Sequence, residues 1–176
     1  MLFRSLRACA WCDTDYLKFG MMRLSDILSR LQTYAARNII ITGGEPTIQP
    51  HLSVLLDALK AQGYRLCIET NGLKPAPVQI DYVAASPKAC YAEKYRQQCI
   101  EAADEVRIVA DGDVLAFCAE MEKKIRATHY YLSPCEIDGQ MNIYDTIRQI
   151  GLLNARADAQ VHWQLSVQTH KWAGIE

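Results

Sequence analysis

The chain has 176 residues, 50% of them hydrophobic and 22% charged, with a formal net charge of -1. That apolar content can fill one good core, which predicts a single globular domain over 1–176 and excludes a disordered chain. Near-neutrality gives no long-range pull towards nucleic acid or anionic lipid, and no apolar run approaches the ~18 residues that a membrane span needs.

Seven cysteines are an odd number in a chain with its own core, so a reducing cytoplasm is expected rather than a disulfide framework. The opening MLFRSLRACA carries Arg4 and Arg7 where a secretory signal needs an unbroken apolar stretch, and no signal peptide is expected.

In chain order, the first feature is Cys9-Ala10-Trp11-Cys12-Asp13-Thr14, ahead of any strand. Ile27, Leu28 and Leu31 then recur at helical spacing, predicting an amphipathic helix over 24–36 capped by Ser25, and 38–42 reads as a buried strand. The alternation continues with a helix over 51–61, strands over 64–70 and 81–84, a helix over 92–102 and a strand over 105–109. A helix over 113–127, a strand over 129–132, a helix over 140–154 and a strand over 161–167 complete it. Strands alternating with long helices imply a parallel sheet of about six strands, because right-handed crossovers join parallel neighbours. An incomplete (β/α) barrel and an open doubly wound sheet both satisfy this pattern, and both place chemistry at the carboxyl ends of the strands.

That rule gathers the polar clusters. Thr42-Gly43-Gly44-Glu45-Pro46, Glu69-Thr70-Asn71-Gly72, Ser86-Pro87-Lys88 and Gln168-Thr169-His170-Lys171 each follow a predicted strand. Each taken singly is ordinary turn chemistry. Four on one rim point to a ligand site. The paired glycines allow close backbone approach to a ligand, and neither phosphate-binding spacing, G-x-x-x-x-G-K-[ST] or G-x-G-x-x-G, is present.

The two early cysteines admit three readings. Structural zinc would want a second pair of thiolate or imidazole ligands at close spacing, and none follows. A thioredoxin-like dithiol belongs at a helix start after a strand, where this pair does not lie. An iron-sulfur cluster, ligated by thiolates above the glycine loop, is the third. Cys67 shares a strand face with Glu69 by period two; it and Cys90, Cys99, Cys118 and Cys135 are expected to be core residues.

C-x-x-C-D-T, T-G-G-E-P, E-T-N-G, S-P-K and the terminal Q-T-H-K-x-x-G-I-E, in this order from Cys9 to Glu176, resemble the 7-carboxy-7-deazaguanine synthases of the radical S-adenosylmethionine superfamily. The resemblance implies an incomplete (β/α) barrel, usually homodimeric, with a [4Fe-4S] cluster, S-adenosylmethionine and magnesium as cofactors. It implies conversion of 6-carboxytetrahydropterin to 7-carboxy-7-deazaguanine with loss of ammonia, in queuosine biosynthesis, with a reductant such as flavodoxin. Position by position, it makes Cys9 and Cys12 cluster ligands, places Trp11 near the adenine and gives Thr14 to magnesium beside the substrate carboxylate. Gly43, Gly44 and Glu45 would meet the methionyl amino group; Glu69, Ser86, Lys88 and Ser133 would bind the rest of the cofactor. His170 and the terminal carboxylate of Glu176 would contact the pterin.

One position departs from the superfamily pattern C-x-x-x-C-x-x-C. Ser5 stands four residues before Cys9, and a serine oxygen is a poor ligand for soft iron. The expectation is that a first strand and a first cluster cysteine belong upstream of Met1, or that the chain is an inactive fragment or paralogue keeping the fold. Another small radical enzyme, such as a glycyl-radical activase, is the remaining alternative.

Overall fold

The computed structural model describes residues 20–137 and 139–169. Six strands form one parallel sheet: β1 (Asn38–Ile41), β2 (Arg65–Thr70), β3 (Tyr82–Ala85), β4 (Glu105–Val109), β5 (His129–Ser133) and, last in the chain, β8 (Trp163–Leu165). Their order in space is their order in sequence. A doubly wound sheet reverses direction at a switch point, and this sheet never does, so it is the wall of an incomplete barrel. Helices α1 (Leu24–Gln32), α2 (Leu52–Ala61), α3 (Ala92–Gln97), α4 (Leu115–Lys124) and α5 (Ile143–Asn154) lie between the strands in the chain. A hairpin of β6 (Glu136–Ile137) and β7 (Gln140–Met141) precedes α5. Among the described residues no helix is long and apolar enough to cross a membrane.

Period-two alternation gives the sheet two unlike faces. Leu66, Ile68, Val106, Ile108, Leu132 and Trp163 share one face by register and are fully buried. All but Ile68 belong to the same cores as Leu56 and Leu59 of α2, Cys118 and Met121 of α4 and Leu153 of α5. The other face carries Ile40, Cys67, Glu69, Tyr82, Ala84, Glu105, Arg107, Tyr131 and Gln164. It is the barrel interior, and it is polar.

Element boundaries differ from expectation where side chains compete with the helix backbone. Ser25 does not cap α1; Arg23 occupies that position without a side-chain bond, and Ser25 Oγ donates to Asp26 Oδ1 at 3.2 Å inside the first turn. The helix ends at Gln32, where Thr33 Oγ1 donates to the Arg30 carbonyl at 2.8 Å. Helix α3 stops at Gln97 because the chain turns extended and the Ile100 amide bonds the Gly72 carbonyl at 2.9 Å. Helix α5 begins after the hairpin, whose pairing takes Gln140 and Met141 out of the predicted helix.

Cys118 and Cys135 are core residues as expected, and burial pushes both thiols up. Cys90 is exposed on the short turn of 3-10 helix Ala89–Tyr91, and Cys67 and Cys99 are half-buried, so the core expectation fails for Cys90.

The three-residue strand β8 is held by side chains as much as by its ladder. Asn154 brackets Trp163, accepting from its amide at 2.8 Å and donating to its carbonyl at 2.9 Å. Buried Glu122 of α4 accepts from Trp163 Nε1 at 2.9 Å and from Arg156 Nη2 at 2.5 Å. Removing that carboxylate leaves a partly buried guanidinium and an indole N–H without their acceptor. Glu122→Ala is therefore expected to cost about 3 to 5 kcal/mol in denaturant unfolding, as truncation of one partner of a buried ion pair does. Glu122→Gln, which can still accept the indole bond, should cost less; equal losses would show that the neutral acceptor adds nothing and the charge carries the whole effect.

Candidate functional site

The loop leaving β1 runs Thr42-Gly43-Gly44-Glu45-Pro46. Gly43 has φ 133°, a region that side chains rarely adopt, and among the described residues no atom beyond Gly43 and its two chain neighbours lies within 4 Å of where its Cβ would stand. The backbone here is open to a ligand. Glu45 then caps a turn of 3-10 helix, its Oε1 accepting from the Thr47 amide at 3.1 Å and the Thr47 hydroxyl at 2.6 Å. The same carboxylate accepts from the Thr70 hydroxyl and, through Oε2, from the Asn71 amide, both at 2.7 Å. The glycine loop is thereby tied to the end of β2 by charge-assisted hydrogen bonds.

The next loop is tied in the same way. The Ser86 amide donates to the Thr70 carbonyl at 2.7 Å, and Lys88 Nζ donates to Ser86 Oγ at 2.7 Å. Tyr95, fully buried, accepts from the Lys88 amide at 3.2 Å and donates to the Asn71 carbonyl at 2.7 Å. Burial pushes its phenol up, so it stays a donor. Gly72 completes the joint: a Cβ there would meet Ile100 and Ala85 at 3.5 and 3.6 Å, and its φ is 75°.

Below these loops the interior face carries a chain of charges. Glu69 Oε2 accepts from Thr42 Oγ1 at 3.3 Å, and Oε1 lies 3.7 Å from Arg107 Nη1. Arg107 Nη2 donates to Glu105 Oε1, and Glu105 Oε2 accepts from the Tyr82 hydroxyl at 3.0 Å. Arg107 Nε is buried and has no partner among the described residues. His129 and Tyr131 stack beside this chain on β5, with ring centroids 5.9 Å apart. Ser133, buried, ends the same strand opposite Val109.

Of the residues expected at the site, Gly43, Gly44, Glu45, Glu69, Ser86, Lys88 and Ser133 lie at the carboxyl ends of β1, β2, β3 and β5. Cys9, Trp11, Cys12, Thr14, His170 and Glu176 lie outside the described residues, as does Ser5. Motif reading passed over Tyr82, Tyr95, Glu105 and Arg107. A usable indication existed in β4, where Glu105 and Arg107 alternate with Val106 and Ile108 in a predicted strand.

Burial, then the hydrogen bond to Glu105, raises the Tyr82 phenol from 10.0 to about 12. The unfolded chain thus releases this proton first, so the contribution to stability is whole below pH 10 and is lost as pH rises towards about 12. Tyr82→Phe should make the fall in denaturant midpoint across that window shallower; an unchanged slope would remove Tyr82 from the network. In a second experiment, Glu45→Ala should lower stability by about 2 to 3 kcal/mol, since it deprives two amides and two hydroxyls of a charged acceptor. A loss near zero in urea unfolding would show that the loops are held otherwise.

The Radical SAM superfamily model matches residues 5–91. In solved structures the fold is similar to the crystal structure of QueE from Escherichia coli, with a TM-score of 0.59 and 23% identity over 91% of this chain and 79% of that one. Among curated relatives, the 7-carboxy-7-deazaguanine synthase of Neisseria meningitidis serogroup B is 83% identical over 169 residues, covering 96% of this chain and 80% of the relative. The synthase of Haemophilus influenzae is 55% identical over 168 residues, covering 96% of this chain and 79% of the relative. An identity of this size over nearly the whole chain, on a barrel wall whose rim carries the expected loops, places the chain in the 7-carboxy-7-deazaguanine synthase family.

Proposed function

We propose that the protein converts 6-carboxy-5,6,7,8-tetrahydropterin to 7-carboxy-7-deazaguanine with release of ammonia, a lyase reaction of queuosine and 7-deazapurine biosynthesis. The observation that carries this reading is the 83% identity to the Neisseria meningitidis synthase over 96% of the chain. The rim supports it chemically. S-adenosylmethionine presents an amine, a carboxylate and a ribose diol, and the rim presents the Glu69 carboxylate, the Lys88 ammonium, the hydroxyls of Ser86 and Ser133 and an open glycine backbone. The donor set fits the cofactor.

In this reading Cys9 and Cys12 hold the [4Fe-4S] cluster and the Trp11 backbone meets the adenine. Gly43, Gly44 and Glu45 take the methionyl amino group; Oε2 of Glu45, with one hydrogen bond, from the Asn71 amide, keeps a lone pair for it. Glu69 accepts the ribose hydroxyls, while Ser86, Lys88 and Ser133 fix the rest of the cofactor. Thr14 offers its hydroxyl to magnesium beside the pterin carboxylate, as suits a hard cation. His170 and the terminal carboxylate of Glu176 orient the pterin edge. When bound, the cluster and S-adenosylmethionine supply the one-electron chemistry that starts the rearrangement. The reading carries with it a homodimer, a reductant of the flavodoxin kind and a cytoplasmic setting.

The test is anaerobic. The natural protein, loaded with iron and sulfide and given reductant, magnesium, S-adenosylmethionine and 6-carboxytetrahydropterin, is expected to form 7-carboxy-7-deazaguanine. A fully loaded protein that cleaves the cofactor without consuming the pterin would favour another small radical enzyme, and one that does neither would favour an inactive relative. A serine oxygen is a poor ligand for soft iron, so a protein whose cluster loop offers Ser5 with Cys9 and Cys12 is expected to hold the cluster weakly; a full complement of about four irons per chain would show that another residue supplies the third ligand.

A further inference from the structure

We propose that Arg107 is a positioning residue for the cofactor's ribose: clamped by Glu105, it holds the Glu69 carboxylate in the orientation that accepts the ribose hydroxyls. The inference rests on the reading of Glu69 above and adds a residue that no rim motif contains.

The register makes the contact possible. Glu69 of β2, Ala84 of β3 and Glu105 of β4 stand side by side on the interior face, and Arg107 lies two residues further along β4 on that face. Strands two apart in a sheet are separated by about 9.5 Å, a gap that two long side chains bridge only if the residue between them is small. Ala84 is that residue. Over its methyl group Arg107 Nη1 comes to 3.7 Å from Glu69 Oε1, while Thr42 braces Oε2 from the other side at 3.3 Å.

The two ends of this chain differ in burial. Glu105 is 7% exposed and is held again by the Tyr82 hydroxyl at 3.0 Å, whereas the Glu69 side chain is 46% exposed. The buried end anchors and the open end is aimed. A guanidinium suits the task because its planar fork can address two carboxylates at once, and a lysine ammonium on a flexible stem does so less well. Its single positive charge lies between two negative ones, so Glu69 keeps the net acceptor character that a diol requires.

The experiment is a double-mutant cycle on equilibrium binding of S-adenosylmethionine to the cluster-loaded natural protein, with the thermal midpoint of each variant recorded. Arg107→Gln is expected to weaken binding about five- to tenfold, the scale of one charge-assisted contact, and Arg107→Lys to recover part of the loss. In a Glu69→Gln background, Arg107→Gln should change affinity by less than about twofold, because its partner is already gone. An equal loss in both backgrounds, or no loss in the parent, overturns the inference. Should Arg107→Gln fail to fold, the same cycle run with Arg107→Lys is judged by the same criterion. A parent protein that binds no S-adenosylmethionine would overturn the functional reading, and this inference with it; binding that is indifferent to Arg107 overturns this inference alone.

Discussion

A parallel sheet wound in one direction puts every crossover helix on the same side, and the rest of this structure follows from that constraint. The strand faces turned towards the helices must be apolar, and Leu66, Ile68, Val106, Ile108 and Leu132 are buried completely. The opposite faces close round an interior, and here they carry Glu69, Tyr82, Glu105 and Arg107. Charges in that position are affordable only when paired, and the pairing seen runs unbroken from Thr42 through Arg107 to Tyr82. One alternating pattern therefore specifies both the core and the floor of the site.

The rim loops are built with the same economy. Glu45 belongs to a ligand motif, yet its carboxylate also joins the first two strand ends through Thr70 and Asn71. Tyr95 joins the second to the third, from beneath, with one hydroxyl. Backbone amides at loops need partners wherever water is excluded, and these side chains supply them while leaving Gly43 open. In the proposed reading, loop rigidity and ligand recognition are thus two uses of one set of residues. The turn chemistry of each motif and its place in a site do not compete as explanations.

Family membership and geometry address different links of the chain from sequence to function. Identity to the Neisseria meningitidis synthase identifies the family, and the structure shows what its motif residues rest on. Glu69 is the clearest case: motif reading gives it a ligand, and the interior network shows how its carboxylate is steadied.

The sequence by itself determined the alternation of strand and helix, the six parallel strands, the rim position of the motifs at 42–46, 69–72 and 86–88 and the shared face of Cys67 and Glu69, because each follows from local periodicity and chain direction. Strand limits such as Glu105–Val109 were legible for the same reason. The ends of α1, α3 and α5 were not, since Thr33, Gly72 and the β6–β7 pairing settle them through contacts that propensity does not contain. Periodicity left a barrel wall and a doubly wound sheet equally open, because both share one local pattern and differ in spatial order alone; the family resemblance implied the barrel, and the strand order bears it out. Only the tertiary structure brought Arg107 to Glu69, a contact that depends on the registers of three strands and on the small side chain of Ala84 between them.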